Sequence, residues 1–208
     1  MKIKQTGRSM VEMLGVLAVI GVLSAGALAG YSKAMLQYKL NIQSEQINTI
    51  MDGILLYANK ISEEKGSYLS GQSLVPFLKA INAVDEKMYI KGDSYNLRDI
   101  FEHNIAIVVY KAYYGVYVEF KVYLRATDIK PCINLYQIAS LRNADLWRVK
   151  IQQYNTGTSS TESGSVLSDL HCYNGAKCFK NLTLSDIEGY CEDGLKAEVN
   201  MFYFQYEL

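Results

Sequence analysis

The residues best suited to chemistry in this 208-residue chain are four cysteines, two histidines and one isolated acid at the head of an apolar segment. Cysteine can form disulfides or bind zinc as a thiolate, and histidine can act as a general base or a metal ligand. His103 and His171 stand in no recognisable catalytic motif, and the chain contains neither Gly-x-Ser-x-Gly nor His-Glu-x-x-His. We therefore expect no enzymatic activity, no metal and no bound cofactor.

The cysteines, Cys132, Cys172, Cys178 and Cys191, all lie in the C-terminal part of the chain. An even number of cysteines in an exported domain predicts two disulfides, for which three connectivities are possible. The alternative is a metal site that combines His171 with Cys172, Cys178 and Cys191. Five residues separate Cys172 from Cys178, more than the two to four residues typical of zinc sites, so disulfides are favoured.

The isolated acid is Glu12, which precedes 20 residues without a charge, residues 13–32. An α-helix of that length spans about 30 Å, the thickness of the hydrocarbon core of a bilayer. The run is longer than that of an ordinary secretory signal, and no small-residue cleavage pattern follows it. We predict a retained transmembrane helix, with a buried helix of a soluble protein as the alternative. Lys2, Lys4 and Arg8 precede it, which favours a cytoplasmic N-terminus and a body outside.

The segment around Glu12 resembles the N-terminus of type IV prepilins and type II secretion pseudopilins; it has the sequence GRSMVEMLGVLAVIGVLSAGALAGYSKAM, residues 7–35. Members of that family carry a short basic leader, a glycine at the cleavage site, a glutamate five residues later and an apolar helix. The resemblance implies a leader over residues 1–7, cleavage between Gly7 and Arg8, and N-methylation of Arg8. Arg8 departs from the family, in which Phe or Met is usual at this position.

The resemblance also assigns Glu12 to subunit assembly. Its carboxylate would pair with the free amino terminus of the adjoining subunit, because a carboxylate within a bilayer costs a few kcal/mol and requires a partner. Cleavage after Gly7 creates that amine, which would make processing a condition for polymerisation. The alternative is that Glu12 is an ordinary acid at a helix N-terminus, stabilised by the helix dipole or paired with Arg8.

Beyond the apolar segment, the pattern predicts an α+β fold. Apolar residues at helical spacing continue the helix to about Lys60. Further elements are a short helix over 74–83, a hairpin over 105–124, a helix over 133–142, and strands over 148–154 and 199–206. A long helix packed on an antiparallel sheet is also the outline of a pilin body. Residues 156–165 are almost all Ser, Thr or Gly and predict an exposed, flexible loop.

The predicted organisation combines these elements with the resemblance. It consists of a prepilin leader (1–7), a transmembrane and polymerisation helix (8–32), its amphipathic continuation (33–62) and an extracytoplasmic α+β body (63–208) with a disulfide-stapled region (132–191). We favour Cys172 with Cys178, which closes a short loop. We also favour Cys132 with Cys191, since the family commonly staples its C-terminal region with a disulfide.

We therefore expect a structural subunit of a type IV pilus-like filament, located first in the bacterial inner membrane and then in an extracellular filament. The implied partners are copies of itself, other pilin-like subunits, a prepilin peptidase, the inner-membrane assembly platform and, before assembly, membrane lipid. The alternatives are a type II secretion pseudopilin and a monomeric, membrane-anchored, extracytoplasmic binding domain. With 21 basic and 21 acidic side chains, the charge does not indicate nucleic-acid binding.

Overall fold

The computed structural model describes residues 10–65, 71–112, 115–156 and 159–208. The helices are α1 (Met10–Leu56), α2 (Ala58–Lys65), α3 (Val75–Ala80), α4 (Ile129–Leu141) and α5 (Leu184–Gly194). The strands are β1 (Gln72–Ser73), β2 (Asn96–Arg98), β3 (Asn104–Ala112), β4 (Gly115–Leu124), β5 (Arg148–Tyr154), β6 (Thr161–Leu167) and β7 (Val199–Glu207). The chain divides within α1 into two compact units, one ending at Lys39 and the other formed by Leu40–Leu208.

From Leu40 onward, α1 is amphipathic and packs against the sheet. Its buried residues recur at helical spacing and are Gln43, Ile47, Ile50, Met51, Gly53 and Ile54. Gly53 is required by close packing, because a Cβ there would lie only 2.5 Å from the Cβ of Ala83. The predicted helix to about Lys60 is interrupted at Tyr57, whose ring packs edge-on against Phe77 of α3. The backbone N–H of Tyr57 still donates to the Gly53 carbonyl, so the interruption is local.

The sheet is antiparallel throughout and has seven strands in the order β1-β3-β4-β7-β5-β6, with β2 also paired to β3. The predicted hairpin is confirmed: β3 and β4 pair in a register that places Ile105 opposite Val122 and Val109 opposite Val118. Alternate residues of β4 are buried from Val116 to Leu124, as expected of a strand with one face on the core. The predicted C-terminal strand is β7, and it lies in the middle of the sheet between β4 and β5.

The helix predicted over 133–142 begins earlier, at Ile129, because Pro131 lies in its first turn. A proline is tolerated there, since the first N–H groups of a helix have no acceptor within the helix. The same rule applies in α3, where Pro76 occupies the first turn. Helix α5 was not predicted and begins with a capping box, in which Thr183 and Asp186 exchange side chain to backbone hydrogen bonds.

The prediction of a loop over residues 156–165 is wrong for its second half. Residues from Thr161 onward form β6, an edge strand in which Ser163 pairs with Ile151 of β5. Gly164 adopts a left-handed φ of +58° beside a register shift between β5 and β6, and its carbonyl accepts a 2.5 Å hydrogen bond from the Tyr136 hydroxyl. Strand pairing and this bond to α4 outweigh the weak strand preference of serine and glycine.

Candidate functional site

The candidate site is the exposed, apolar first part of α1. All residues from 10 to 38 are exposed, and residues 13–32 carry no charge. Within the described residues, α1 is the one helix long and apolar enough to cross a membrane, and none of its most apolar 18-residue window is buried in the protein. A helix satisfies its own backbone hydrogen bonds, which a bilayer core demands. This surface is therefore suited to lipid or to neighbouring apolar helices.

Small residues interrupt this apolar surface repeatedly. A Cβ added to Gly15, Gly21, Gly26 or Gly30 would meet no atom within 4 Å. Packing within the described chain therefore does not require these glycines, in contrast to Gly53. In membrane proteins, small residues at such positions allow helix backbones to approach closely.

Glu12 lies in the first turn of α1, where the helix dipole favours a negative charge. Together with Met13, Val16 and Leu17, it borders a cavity of about 280 Å³. Within the described residues, no hydrogen bond or ion pair engages its carboxylate. The arrangement places one acid at the edge of an apolar surface, where a cation from another molecule would have access to it. The predicted cleavage site at Gly7 and Arg8, the proposed methylation of Arg8 and the leader over 1–7 lie outside the described residues.

Both predicted disulfides are present. Cys132 of α4 is bonded to Cys191 of α5, with 5.9 Å between their Cα atoms, and Cys172 is bonded to Cys178, with a Cα separation of 5.8 Å. The alternative metal site is therefore wrong, because its three cysteines are oxidised. Among the described residues, no cluster of three or more His, Cys, Asp or Glu side chains is arranged to bind a metal ion.

His171 has partners that the sequence motifs did not indicate. Its Nδ1 lies 2.9 Å from the hydroxyl of Ser168, and its Nε2 lies 3.9 Å from a carboxylate oxygen of Glu207. Ser168 is completely buried, and the backbone N–H of His171 donates to the Ser168 carbonyl. A buried hydroxyl is not accessible to a substrate, so this group closes a turn beside the Cys172–Cys178 loop.

His103 is buried between two carboxylates, an arrangement that sequence analysis missed. Its ring nitrogens each lie 2.9 Å from a carboxylate oxygen, Nδ1 from Asp99 and Nε2 from Asp128. Burial raises the pKa of Asp128, but hydrogen bonds from Arg125 and the neighbouring His103 outweigh this effect and lower the pKa. The four-residue spacing of Asp99 and His103 was the only local signal, since Asp128 lies far away in the sequence.

Comparison with known proteins adds no family assignment: no protein-family model matches the chain, and no curated protein matches it. The chain thus has an α+β fold with a long N-terminal helix on an antiparallel sheet, a helix that could span a membrane, and two disulfides.

Proposed function

We propose that this chain is a structural subunit of a type IV pilus-like filament that polymerises through the apolar part of α1. The observation that carries the proposal is the exposure of residues 10–38, an apolar helical surface that continues directly into a folded, disulfide-bonded body. In the membrane this surface would contact lipid. In a filament it would contact the same surface of neighbouring subunits. Transfer of a subunit from the membrane to the filament would therefore expose no apolar area to water.

Maturation would take place at the cytoplasmic face of the inner membrane. A prepilin peptidase would cleave between Gly7 and Arg8 and methylate the new amino group of Arg8. Because this cut precedes the apolar helix, the body would stay attached to its membrane anchor. The assembly platform would then draw the mature subunit out of the membrane and into an extracellular filament.

Glu12 would select the register of assembly. Each subunit entering the apolar bundle would carry one carboxylate and one amino terminus, and burial of either charge alone costs several kcal/mol. Pairing of Glu12 with the amino terminus of the adjoining subunit would neutralise both charges. The exposure of Glu12 in the first turn of α1 supports this role, since its carboxylate is accessible to another chain.

Two alternatives use the same features. A type II secretion pseudopilus would assemble through the same helix, so the resemblance at the N-terminus supports it equally. A monomeric anchored binding domain is supported by the body itself, in which Leu40–Leu208 form a complete core and all four cysteines are bonded.

Cell fractionation separates these three functions. Cells that produce the chain are sheared, and the surface filaments are collected apart from the envelope and the medium. A pilus subunit is expected in the sheared filaments, in mature form. Recovery only in envelope-bound short filaments would favour a pseudopilin, and recovery only as a membrane-bound monomer would overturn the filament proposal.

A further inference from the structure

A chain of buried polar side chains connects α1 to the rest of the body. Gln43 of α1, Asp99 after β2, His103 before β3 and Asp128 before α4 are all buried. His103 lies at the centre, with its two ring nitrogens 2.9 Å from Asp99 and Asp128. A buried polar network is stabilising only when every member has a partner, so the protonation state of each group matters.

Asp99 is surrounded by hydrogen-bond donors. Its Oδ1 accepts hydrogen bonds from the backbone N–H groups of Phe101, at 2.9 Å, and His103, at 2.8 Å. Its Oδ2 accepts a 2.8 Å hydrogen bond from the side-chain amide of Gln43. Its Oδ2 also lies 2.9 Å from Nδ1 of His103, the one neighbour here that could accept a hydrogen from a protonated carboxyl. Because imidazole is a stronger base than a carboxylate, the hydrogen between the two groups lies on Nδ1. Asp99 is therefore a carboxylate.

Asp128 has the same kind of environment. Its Oδ2 accepts hydrogen bonds from the backbone N–H of Arg125, at 2.7 Å, and from the Arg125 Nε, at 3.0 Å. The second guanidinium contact, from Nη2 to Oδ1, is 3.2 Å long. Asp128 is therefore also a carboxylate, and both ring nitrogens of His103 must donate. Only the imidazolium form of histidine carries two N–H donors.

The network continues from Asp99 into α1 and α4. The Gln43 carbonyl oxygen accepts a 3.0 Å hydrogen bond from the Asn134 side chain, which also donates to the backbone carbonyl of Leu40 at 3.1 Å. The Ser44 hydroxyl lies 3.2 Å from the Asn134 carbonyl oxygen. The Asp99 carboxylate can only accept hydrogen bonds, so the side-chain amide of Gln43 faces it with its nitrogen. The Asn134 amide in turn faces the Gln43 oxygen with its nitrogen. Asp99 thus links the His103 ring to the hydrogen bonds that hold α1 over residues 40–44.

We propose that the His103 imidazolium is the buried cation of a clasp that fixes α1 to the body at residues 40–44. We define the clasp as His103, Asp99, Asp128, Gln43 and Asn134. Two cations, His103 and Arg125, balance the two carboxylates. Without the imidazolium, one buried carboxylate loses its hydrogen bond to the His103 ring, one cation fewer balances the two carboxylates, and the first body turns of α1 open locally. This inference does not depend on the proposed filament function.

The protonation of His103 can be measured directly in the full-length protein in detergent micelles. The chain contains two histidines, so His171→Gln leaves His103 as the single ring in a ¹⁵N-histidine NMR spectrum. At neutral pH we expect both ring nitrogens of His103 to carry a hydrogen. A neutral tautomer, with one unprotonated nitrogen, would overturn the proposal.

Hydrogen exchange tests the mechanical role of the clasp. The amide of Ile100 is a sensitive probe, because it donates to the Gln46 side chain of α1 at 3.1 Å. In His103→Gln we expect about tenfold or faster exchange at Ile100 and over residues 40–51, since hydrogen bonds to charged groups are stronger than those between neutral groups. Exchange in β4 and β7 should stay close to wild type. His171→Gln is the matched control and should change none of these rates.

A second variant keeps the test decisive if His103→Gln folds poorly. In the double variant His103→Gln with Asp128→Asn, one carboxylate of the clasp and one neighbouring cation remain, Asp99 and Arg125. We expect protection at Ile100 to recover at least in part, because the charges of Asp99 and Arg125 then balance. Unchanged exchange in His103→Gln, or a double variant that is less protected than the single one, would contradict a charge-based clasp.

Discussion

Cys132 of α4 and Cys191 of α5 lie 59 residues apart in the sequence, and the bond between them holds the two helices together. In the chain-entropy model, a disulfide stabilises the folded state by restricting the unfolded chain, and a longer loop gives a larger effect. The Cys172–Cys178 bond closes a loop with a separation of only 6 residues. The two bonds should therefore contribute unequally to stability.

We predict that replacing Cys132 and Cys191 together by alanine lowers the free energy of unfolding by about 4 kcal/mol, against about 2 kcal/mol for Cys172 and Cys178. Denaturant unfolding of the full-length protein in detergent measures both losses, with the second double variant as the control. Equal losses would contradict the loop-length explanation.

Gly164 should tolerate no side chain. Its φ of +58° disfavours any other residue, and a Cβ would collide with the Tyr136 hydroxyl, which donates to the Gly164 carbonyl. We expect Gly164→Ala to destabilise the body by about 3 kcal/mol. Gly175→Ala is the matched control: its φ is also positive, at +88°, but the space beside it is open. We expect Gly175→Ala to lower the free energy of unfolding by about 1 kcal/mol. Similar losses of stability at both glycines would exclude the steric effect.

The capping box of α5 predicts a dependence on acid pH. Hydrogen bonds from the Lys177 side chain and from Thr183 lower the pKa of Asp186 from 3.8 to about 2. Because the folded pKa lies below the unfolded value, Asp186 stabilises the protein fully above pH 4 and progressively less as the pH falls towards 2. A carboxyl ¹³C NMR titration should give the low pKa. In Asp186→Asn, the loss of α5 stability over this pH range should be smaller than in wild type. A titration that gives a pKa near 4 for Asp186 in the folded protein would refute this explanation.

Local patterns were sufficient to predict most of the helices and strands. Alternation over 116–124 indicated β4, because one face of that strand is on the core and the other is not. The apolar spacing from Leu40 onward indicated the helix that covers the sheet. These patterns involve residues that are close in sequence. They predict the elements correctly because the folded body buries one face of each of them.

Interactions between distant residues account for what was missed. The polar strand β6 exists because it pairs with β5, and its sequence has no apolar alternation. His103 and Asp128 are 25 residues apart and meet only through the turns after β2 and β4. For α5, the Thr183 and Asp186 pair was a usable N-terminal signal, since a hydroxyl three residues before an acid is typical of a capping box.

The proposed maturation predicts a defined N-terminus. We expect the mature chain to begin at Arg8, because Gly7 stands at the cleavage position of the prepilin-like segment. Intact mass and N-terminal sequencing of the membrane-extracted protein measure this start and detect methylation of Arg8. A mature chain that starts beyond residue 30 would indicate an ordinary signal peptide and would contradict the filament proposal.

The central claim is that Glu12 supports assembly between chains. We predict that Glu12→Ala inserts into the membrane, loses its leader and forms both disulfides, yet is strongly depleted from filaments, because the amino terminus of its neighbour would be buried without a partner. Glu12→Gln should be similarly impaired, since the amide keeps the shape and loses the charge. Glu45→Ala is the matched control, an exposed acid on the same helix beyond Leu40.

The most direct measurement is the amount of processed Glu12→Ala protein that co-purifies with sheared filaments, relative to wild type and Glu45→Ala. We predict a loss of at least about tenfold, since one unpaired buried charge costs several kcal/mol. Normal incorporation of the processed Glu12→Ala protein would contradict the assembly role and would leave Glu12 as a helix-terminal acid of a membrane-anchored monomer.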